Sequence, residues 1–190
     1  MNKIILTLAS VIIMSFAACA QNKGEKSMQT ENKPLIVYFS ATGTTAKVAR
    51  EIADITCGTL YEIVPQQTYT PDDLDWNDRR SRSSIEMGNS QSRPALKGTK
   101  ADVTAYSIIF IGYPIWWNQA PRIVNTFIES HNLKGKTLVP FATSGGSGIT
   151  GSVKELRKSY PDLEWQEGKL LNGSSRNTIK NWVSDVMEKQ

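Results

Sequence analysis

The stretch that most constrains this chain runs from Leu35 to Thr45 and reads L-I-V-Y-F-S-A-T-G-T-T. It begins as an apolar run of β-branched and aromatic residues, the composition of a strand buried on both faces. It then breaks into Ser40-Ala41-Thr42-Gly43-Thr44-Thr45, hydroxyls around a single glycine. Beyond it, Ala49, Ile52 and Ala53 fall on one face at helical spacing. A strand, a tight hydroxyl-rich turn and a helix form a ready anion site. The first amides of the helix have no intrahelical acceptor, and the helix dipole favours negative charge there. Gly43 permits close approach or a positive φ, and the Ser and Thr hydroxyls add donors. A nucleoside triphosphate usually calls for a Gly-Lys-Ser/Thr ending, which this turn lacks. The same letters also fit a plain strand-to-helix turn capped by threonine.

The rest of the chain continues the alternation. Thr59 to Val64 reads as a second strand closed by Pro65, Ala105 to Gly112 as a third, and Lys136 to Ala142 as a fourth. Leu163 to Leu171 holds a last strand, broken near Gly168. Between them, Ala120 to Ser130 carries Ile123, Val124, Phe127 and Ile128 at helical spacing. The segment after Gly151 places Val153 and Leu156 inward, and Ser174 to Lys189 sets Ile179, Trp182, Val183 and Val186 on one face, with Trp182 in the core. This order predicts an α/β domain, a parallel sheet with helices on both faces. Gln66 to Gly98 is long and irregular, with a helix predicted near Trp76 to Met87; loops of this length are functional or mobile. Its Arg79, Arg80 and Arg82 are either plain surface or face an anion.

Two further loops stand at the carboxyl ends of predicted strands, where open α/β sheets bind ligands. The first is Pro114-Ile115-Trp116-Trp117-Asn118. Its adjacent tryptophans either cover a flat aromatic ligand or seal the core. The second is Thr143-Ser144-Gly145-Gly146-Ser147-Gly148. Gly146-x-Gly148-x-x-Gly151 matches the dinucleotide fingerprint in letters, but it follows the fourth strand and no acidic residue closes a following strand. It reads instead as a third ligand loop offering backbone donors. His131, the single histidine, stands at a helix end where the dipole favours imidazolium. Cys57, before Gly58, reads as a buried structural thiol. One histidine and two cysteines leave little from which to build a metal centre or a hydrolytic triad.

Ser40-x-Thr42-Gly43-x-Thr45 resembles the phosphate loop of flavodoxins, and G-Y-P-I-W-W at 112–117 and T-S-G-G-S-G at 143–148 are similar to segments of a bacterial flavodoxin-like branch. The resemblance covers the chain from about Pro34 to its end. It implies a flavodoxin-like, doubly wound, five-stranded parallel sheet in the order 2-1-3-4-5, whose switch point lies between the first and third strands. It implies noncovalent FMN, with Ser40, Ala41, Thr42, Gly43, Thr44 and Thr45 at the phosphate. Pro114, Ile115, Trp116, Trp117, Asn118, Thr143, Ser144, Gly145, Gly146 and Gly148 would then surround the ring. Ser147-Gly148-Ile149-Thr150 lacks the Asp-Gly-x-Ser/Ala-Thr pattern of covalent flavin attachment. In flavodoxins a peptide after the third strand can turn over and offer its carbonyl to a proton on flavin N5. Asn118 either provides that turn, since Asn tolerates positive φ, or caps the next helix.

The function implied is electron transfer, with an FMN-dependent reductase of quinones or similar acceptors as the alternative and a module that has lost flavin as a third, disfavoured by the intact hydroxyl loop. The sequence names neither redox donor nor acceptor. The net charge of +4 departs from the acidic character of soluble flavodoxin shuttles. No basic stripe with interleaved aromatics speaks for nucleic acid.

Residues 1–18 read as a signal peptide, with Lys3 followed by an apolar stretch from Ile4 to Phe16, too short for a comfortable span. Phe16-Ala17-Ala18-Cys19 resembles a bacterial lipoprotein box, which makes Cys19 the lipidated N-terminus; an uncleaved membrane anchor is the other reading. Residues 19–33 form a polar linker, and 34–190 the folded domain. Both readings place the domain in the cell envelope, outside the cytoplasm.

Overall fold

The computed structural model describes residues 33–189. The signal-type segment, Cys19 and all of the linker but Lys33 lie outside the described residues. Parallel strands β1 (Leu35–Tyr38), β2 (Thr59–Glu62), β3 (Ile108–Pro114) and β4 (Thr137–Thr143) join in the order β2-β1-β3-β4. The fifth position is shared by two short strands, β5 (Glu164–Trp165) and β6 (Lys169–Leu170), both paired with β4. The break expected at Gly168 is therefore real. A Cβ there would lie 2.7 Å from Ile149 Cδ1 and 3.1 Å from the Pro140 carbonyl oxygen.

Consecutive residues of the central strands go to opposite faces, which is why their apolar runs are unbroken. Leu35 and Val37 of β1 and Ile109 and Ile111 of β3 meet Ile123, Val124 and Phe127 of helix α3 (Arg122–Ser130). Ile36, Ile108 and Phe110 meet helix α1 (Thr44–Thr56) and helix α5 (Arg176–Met187) on the other face. Helix α4 (Thr150–Ser159) adds Val153 and Leu156 to the buried set. Gly112 in β3 lies beneath the Phe141 ring, and a Cβ there would come within 2.1 Å of it.

Four expectations need correction. The segment 66–98 forms one 3₁₀ turn (Asp72–Leu74) and a short helix α2 (Arg82–Gly88), so the helix begins well after Trp76. Ser81 sets that start, its hydroxyl accepting the Ser84 amide. Cys57 is exposed rather than buried, because it ends α1 in the left-handed region at φ 50. The glycine beside it cannot take a side chain: a Cβ on Gly58 would sit 2.4 Å from Ile36 Cδ1. Trp182 is half-buried, laid edge-on against Phe110 at 5.7 Å between ring centroids. His131 does not sit as a solvated imidazolium. Its Nε2 accepts the Ala101 amide at 3.1 Å, which leaves Nδ1 as the protonated nitrogen facing the Phe127 carbonyl at 2.8 Å. The ring stacks on Phe127 at 4.1 Å, and burial holds its pKa below the ordinary imidazole value.

His131 therefore makes stability depend on pH in a definite direction. Its contribution is complete above the unfolded imidazole pKa of about 6.5 and is lost as pH falls through the lower folded value, because the unfolded chain binds the proton first. Thermal unfolding should show a midpoint that drops between about pH 7 and pH 5.5, and His131→Gln should flatten that part of the profile. An unchanged slope in the variant would contradict the assignment.

Candidate functional site

The chain leaves β1 toward β2 on one side and β3 toward β4 on the other, so a crevice opens between the loops that follow β1 and β3. It holds a cleft of about 420 Å³. Ala41 and Thr42 line it from the first loop, Pro114 to Trp117 from the second, and Gly145 from the loop after β4. No carboxylate, lysine or arginine is among the described residues lining it.

The loop after β1 is shaped by Gly43, which precedes α1 at φ 87, a conformation that favours glycine. Ser40 Oγ accepts the Ala46 amide at 3.1 Å, which satisfies one amide of the first turn. The amides of Thr44 and Thr45, in the first turn of α1, have no intrahelical acceptor. The Thr42 and Thr44 hydroxyls are exposed and only loosely paired at 3.4 Å. Thr45 turns the other way. It is buried, and its hydroxyl pairs with the equally buried Thr143 at 2.8 Å. Thr45 can therefore offer an anion its amide, while its side chain ties the first loop to the end of β4.

The loop after β3 separates its two tryptophans. Trp116 and Gln119 exchange backbone hydrogen bonds at 3.0 and 2.9 Å, and the two residues between them have positive φ, 47 at Trp117 and 60 at Asn118. This is a two-residue hairpin turn with both central residues left-handed. A bulky ring rarely takes that conformation, which costs about 1–2 kcal/mol. The turn throws Trp117 outward, 45 % exposed. Trp116 is wedged edge-on against Phe39 at 5.6 Å and Tyr69 at 5.4 Å. One ring is thus a packed wall and the other an exposed rim. The α3 N-cap is Pro121, with no side-chain cap, so Asn118 is not the helix cap. Its side chain lies against Gly151 instead, where a Cβ would fall 2.2 Å from Asn118 Nδ2. The last glycine of the apparent dinucleotide fingerprint is needed for that contact.

The loop after β4 is held from within. Ser144 Oγ accepts the amides of Gly146 and Ser147 at 3.1 and 2.8 Å, and Asn172 Oδ1 accepts the Ser144 amide at 2.6 Å. The Gly146 amide is already used, and Gly146 and Gly148 face solvent. Of the glycines predicted here, Gly145 is the one on the cleft.

Sequence reasoning left out the outer wall. Leu74, Trp76 and Ser83, all from 66–98, line the cleft, and Trp76 is 72 % exposed. The available signal was the length of the segment together with a tryptophan inside it. The segment is anchored by Tyr69, whose hydroxyl donates to Glu86, and by Arg82, which pairs with Glu86 at 2.6 Å and lies 4.0 Å over the Tyr69 ring. Arg82 is thus structural, while Arg79 and Arg80 are surface. Tyr113 is buried below the cleft loops, its hydroxyl 3.1 Å from Ser152 Oγ, and burial pushes its pKa up to about 12, so it remains a neutral phenol.

The family model described as Flavodoxin matches residues 33–186. The chain belongs to the flavodoxin family. Crystal structures of candidate flavoproteins from Bacteroides uniformis and Bacteroides eggerthii are each 55 % identical to it with TM-scores of 0.79. The matches cover 80 % and 82 % of this chain and 98 % of each of those. A flavoprotein of Lactobacillus acidophilus, solved in complex with FMN, is 24 % identical over 78 % of this chain and 98 % of that one, with a TM-score of 0.62. No curated protein matches. Among flavodoxin features, the strand order and the loop positions at the switch point are present in this chain.

The contact between Asn118 and Gly151 generates a test. Gly151→Ala should displace the Asn118 amide and with it the tryptophan turn, costing about 1–3 kcal/mol of stability as an overpacked site does. Denaturant unfolding gives the cost, and a shift in tryptophan emission that is absent when the same change is made in a Trp117→Phe background reports the moved loop. Wild-type stability and emission in the variant would show that the contact is not tight.

Proposed function

We propose that this protein binds FMN noncovalently in the cleft and transfers electrons through it. The observation that carries the reading is the polarity of one continuous crevice. Thr42 lines one side and leads directly into the exposed Thr44 hydroxyl and the first helix amides, no carboxylate is among the described lining residues, and indole rings line the other side. The first suits a phosphate dianion and the second a flat aromatic ring. The complex of the Lactobacillus acidophilus relative with FMN supports the choice of flavin.

On this reading Thr42 and Thr44 donate hydroxyls, and Gly43, Thr44 and Thr45 amides, to the phosphate. Trp116 forms the fixed wall for the ring, Trp117 and Trp76 the outer rims, and Gly145 the floor. FMN, when bound, supplies transfer of one or two electrons, and the protein tunes it. On this reading the peptide at Asn118, already left-handed, would offer its carbonyl to flavin N5. An FMN-dependent reductase of quinones or similar acceptors is the second reading, favoured by Leu74 and Trp76, which extend the apolar wall past the tryptophan loop. The envelope location, through lipid on Cys19, rests on the sequence pattern of residues 1–19 and on no contact of the fold.

Thr42→Ala should remove one hydrogen bond to a charged group, about 1.5–3 kcal/mol. FMN affinity should then fall about ten- to hundredfold, while riboflavin, which lacks the phosphate, binds as before. Equal weakening of both in a fluorescence titration would refute the phosphate assignment. Asn118→Gly keeps the turn at no steric cost, whereas Asn118→Val opposes positive φ. The spacing between the two one-electron potentials should change with Val and stay near wild type with Gly. Potentials unmoved in both, by spectroelectrochemical titration, would remove the carbonyl from the redox chemistry.

A further inference from the structure

Behind the cleft wall lies a buried tyrosine–carboxylate pair in ring contact with Trp116. Trp116 lines the cleft, and its ring contacts Tyr69 at 5.4 Å between centroids, with planes at 80°. Phe39 closes the triangle, 5.6 Å from Trp116 and 5.7 Å from Tyr69. The Tyr69 hydroxyl donates to Glu86 Oε2 at 2.5 Å, and Glu86 Oε1 accepts Arg82 Nε at 2.6 Å. Tyr69 and Glu86 are 7 % and 8 % exposed. An anchor for the 66–98 segment needs a hydrogen bond and an ion pair. Here that anchor also stands in ring contact with Trp116, which lines the cleft.

We propose that Tyr69 and Glu86 form a proton-coupled hole trap behind Trp116. The proposal rests on the FMN reading, and its oxidant is the photoexcited oxidised flavin. One electron leaves the Trp116 indole for the excited flavin. One electron then passes from Tyr69 to the oxidised indole, while the phenolic proton moves from Tyr69 Oη to Glu86 Oε2. On the protein side the balance is a neutral tyrosyl radical, a protonated Glu86 and a restored Trp116, and the bound flavin would have taken up the one electron. Return of the electron to Tyr69 and of the proton from Glu86 closes the cycle.

The charges decide that the proton must move. The Arg82 guanidinium lies 4.0 Å above the Tyr69 ring and disfavours a cationic radical there. A carboxylate already in line accepts the proton without reorganisation. Burial, and after it the Glu86 hydrogen bond, hold the Tyr69 phenol far above its ordinary pKa, so the proton leaves only with the electron. The hole ends on a ring screened from solvent, which spares the indole that walls the cleft.

Flash excitation of the FMN-loaded protein, followed by transient absorption, tests this. In wild type the indolyl signal should decay into a tyrosyl signal, more slowly in D2O than in H2O. Tyr69→Phe keeps the ring packing and should abolish the tyrosyl signal. Glu86→Gln keeps a hydrogen-bond acceptor but is a poor base, and should slow the transfer roughly 100-fold. A tyrosyl signal that survives Tyr69→Phe, equal rates in Glu86→Gln and wild type, no slowing in D2O, or indolyl signal alone would each overturn the proposal. If FMN does not bind, the functional reading fails by itself. Azide-radical oxidation of tryptophan in the flavin-free protein then decides the trap, through the difference in tyrosyl yield between wild type and Tyr69→Phe. Equal yields would overturn it.

Discussion

The parallel pairing of β1 with β3, Leu35 opposite Ile109 through Tyr38 opposite Gly112, is the constraint on which the cleft depends. Both strands are buried on both faces, so neither can bend or slip without moving an apolar side chain to the wrong layer. The register continues for one more residue, since the Phe39 amide donates to the Gly112 carbonyl at 2.9 Å. Only then do the two chains part. The phosphate-type turn and the tryptophan turn therefore begin at nearly the same height, side by side, and the crevice between them follows from sheet geometry.

Above that edge the loops are held by few but specific contacts. The Thr45–Thr143 hydroxyl pair joins the first loop to β4 beneath the surface, and Ser144 and Asn172 fold the glycine-rich loop onto itself. The tryptophan turn carries backbone strain at Trp117 and Asn118, tolerated because Trp116 is locked between Phe39 and Tyr69. The result is a cleft with a packed inner side and an exposed outer side to which the 66–98 segment contributes Leu74, Trp76 and Ser83.

Much of this was legible in the sequence because it rests on local pattern. The apolar runs at 35–39 and 108–113 and the helical spacing of 123–128 predict the elements and their layers, and the hydroxyl turn and tryptophan pair mark the switch point. What was not legible depends on long-range contact. Nothing local says that Thr45 faces inward to a residue 98 positions away, or that Ser144 consumes the Gly146 amide. The imidazole of His131 is set by a backbone amide at residue 101, which overrides the helix dipole. Cys57 is exposed because it ends α1 in the left-handed region, beside a Gly58 whose Cβ position is filled by Ile36 and Pro34. Trp76 reaches the cleft through an anchor, Tyr69–Glu86–Arg82, that has no periodicity to betray it.

The packing of Asn118 on Gly151 has a consequence for how such a chain can vary. The two residues are 33 positions apart, on different loops, yet the backbone of one serves as the seat of the other. A larger residue at 151 is admissible only if 118 shrinks, and a larger one at 118 presses on the first turn of α4. Residues 118 and 151 should thus drift as a pair in descendants of this sequence. The loop that walls the cleft is governed in part from a helix that does not line it.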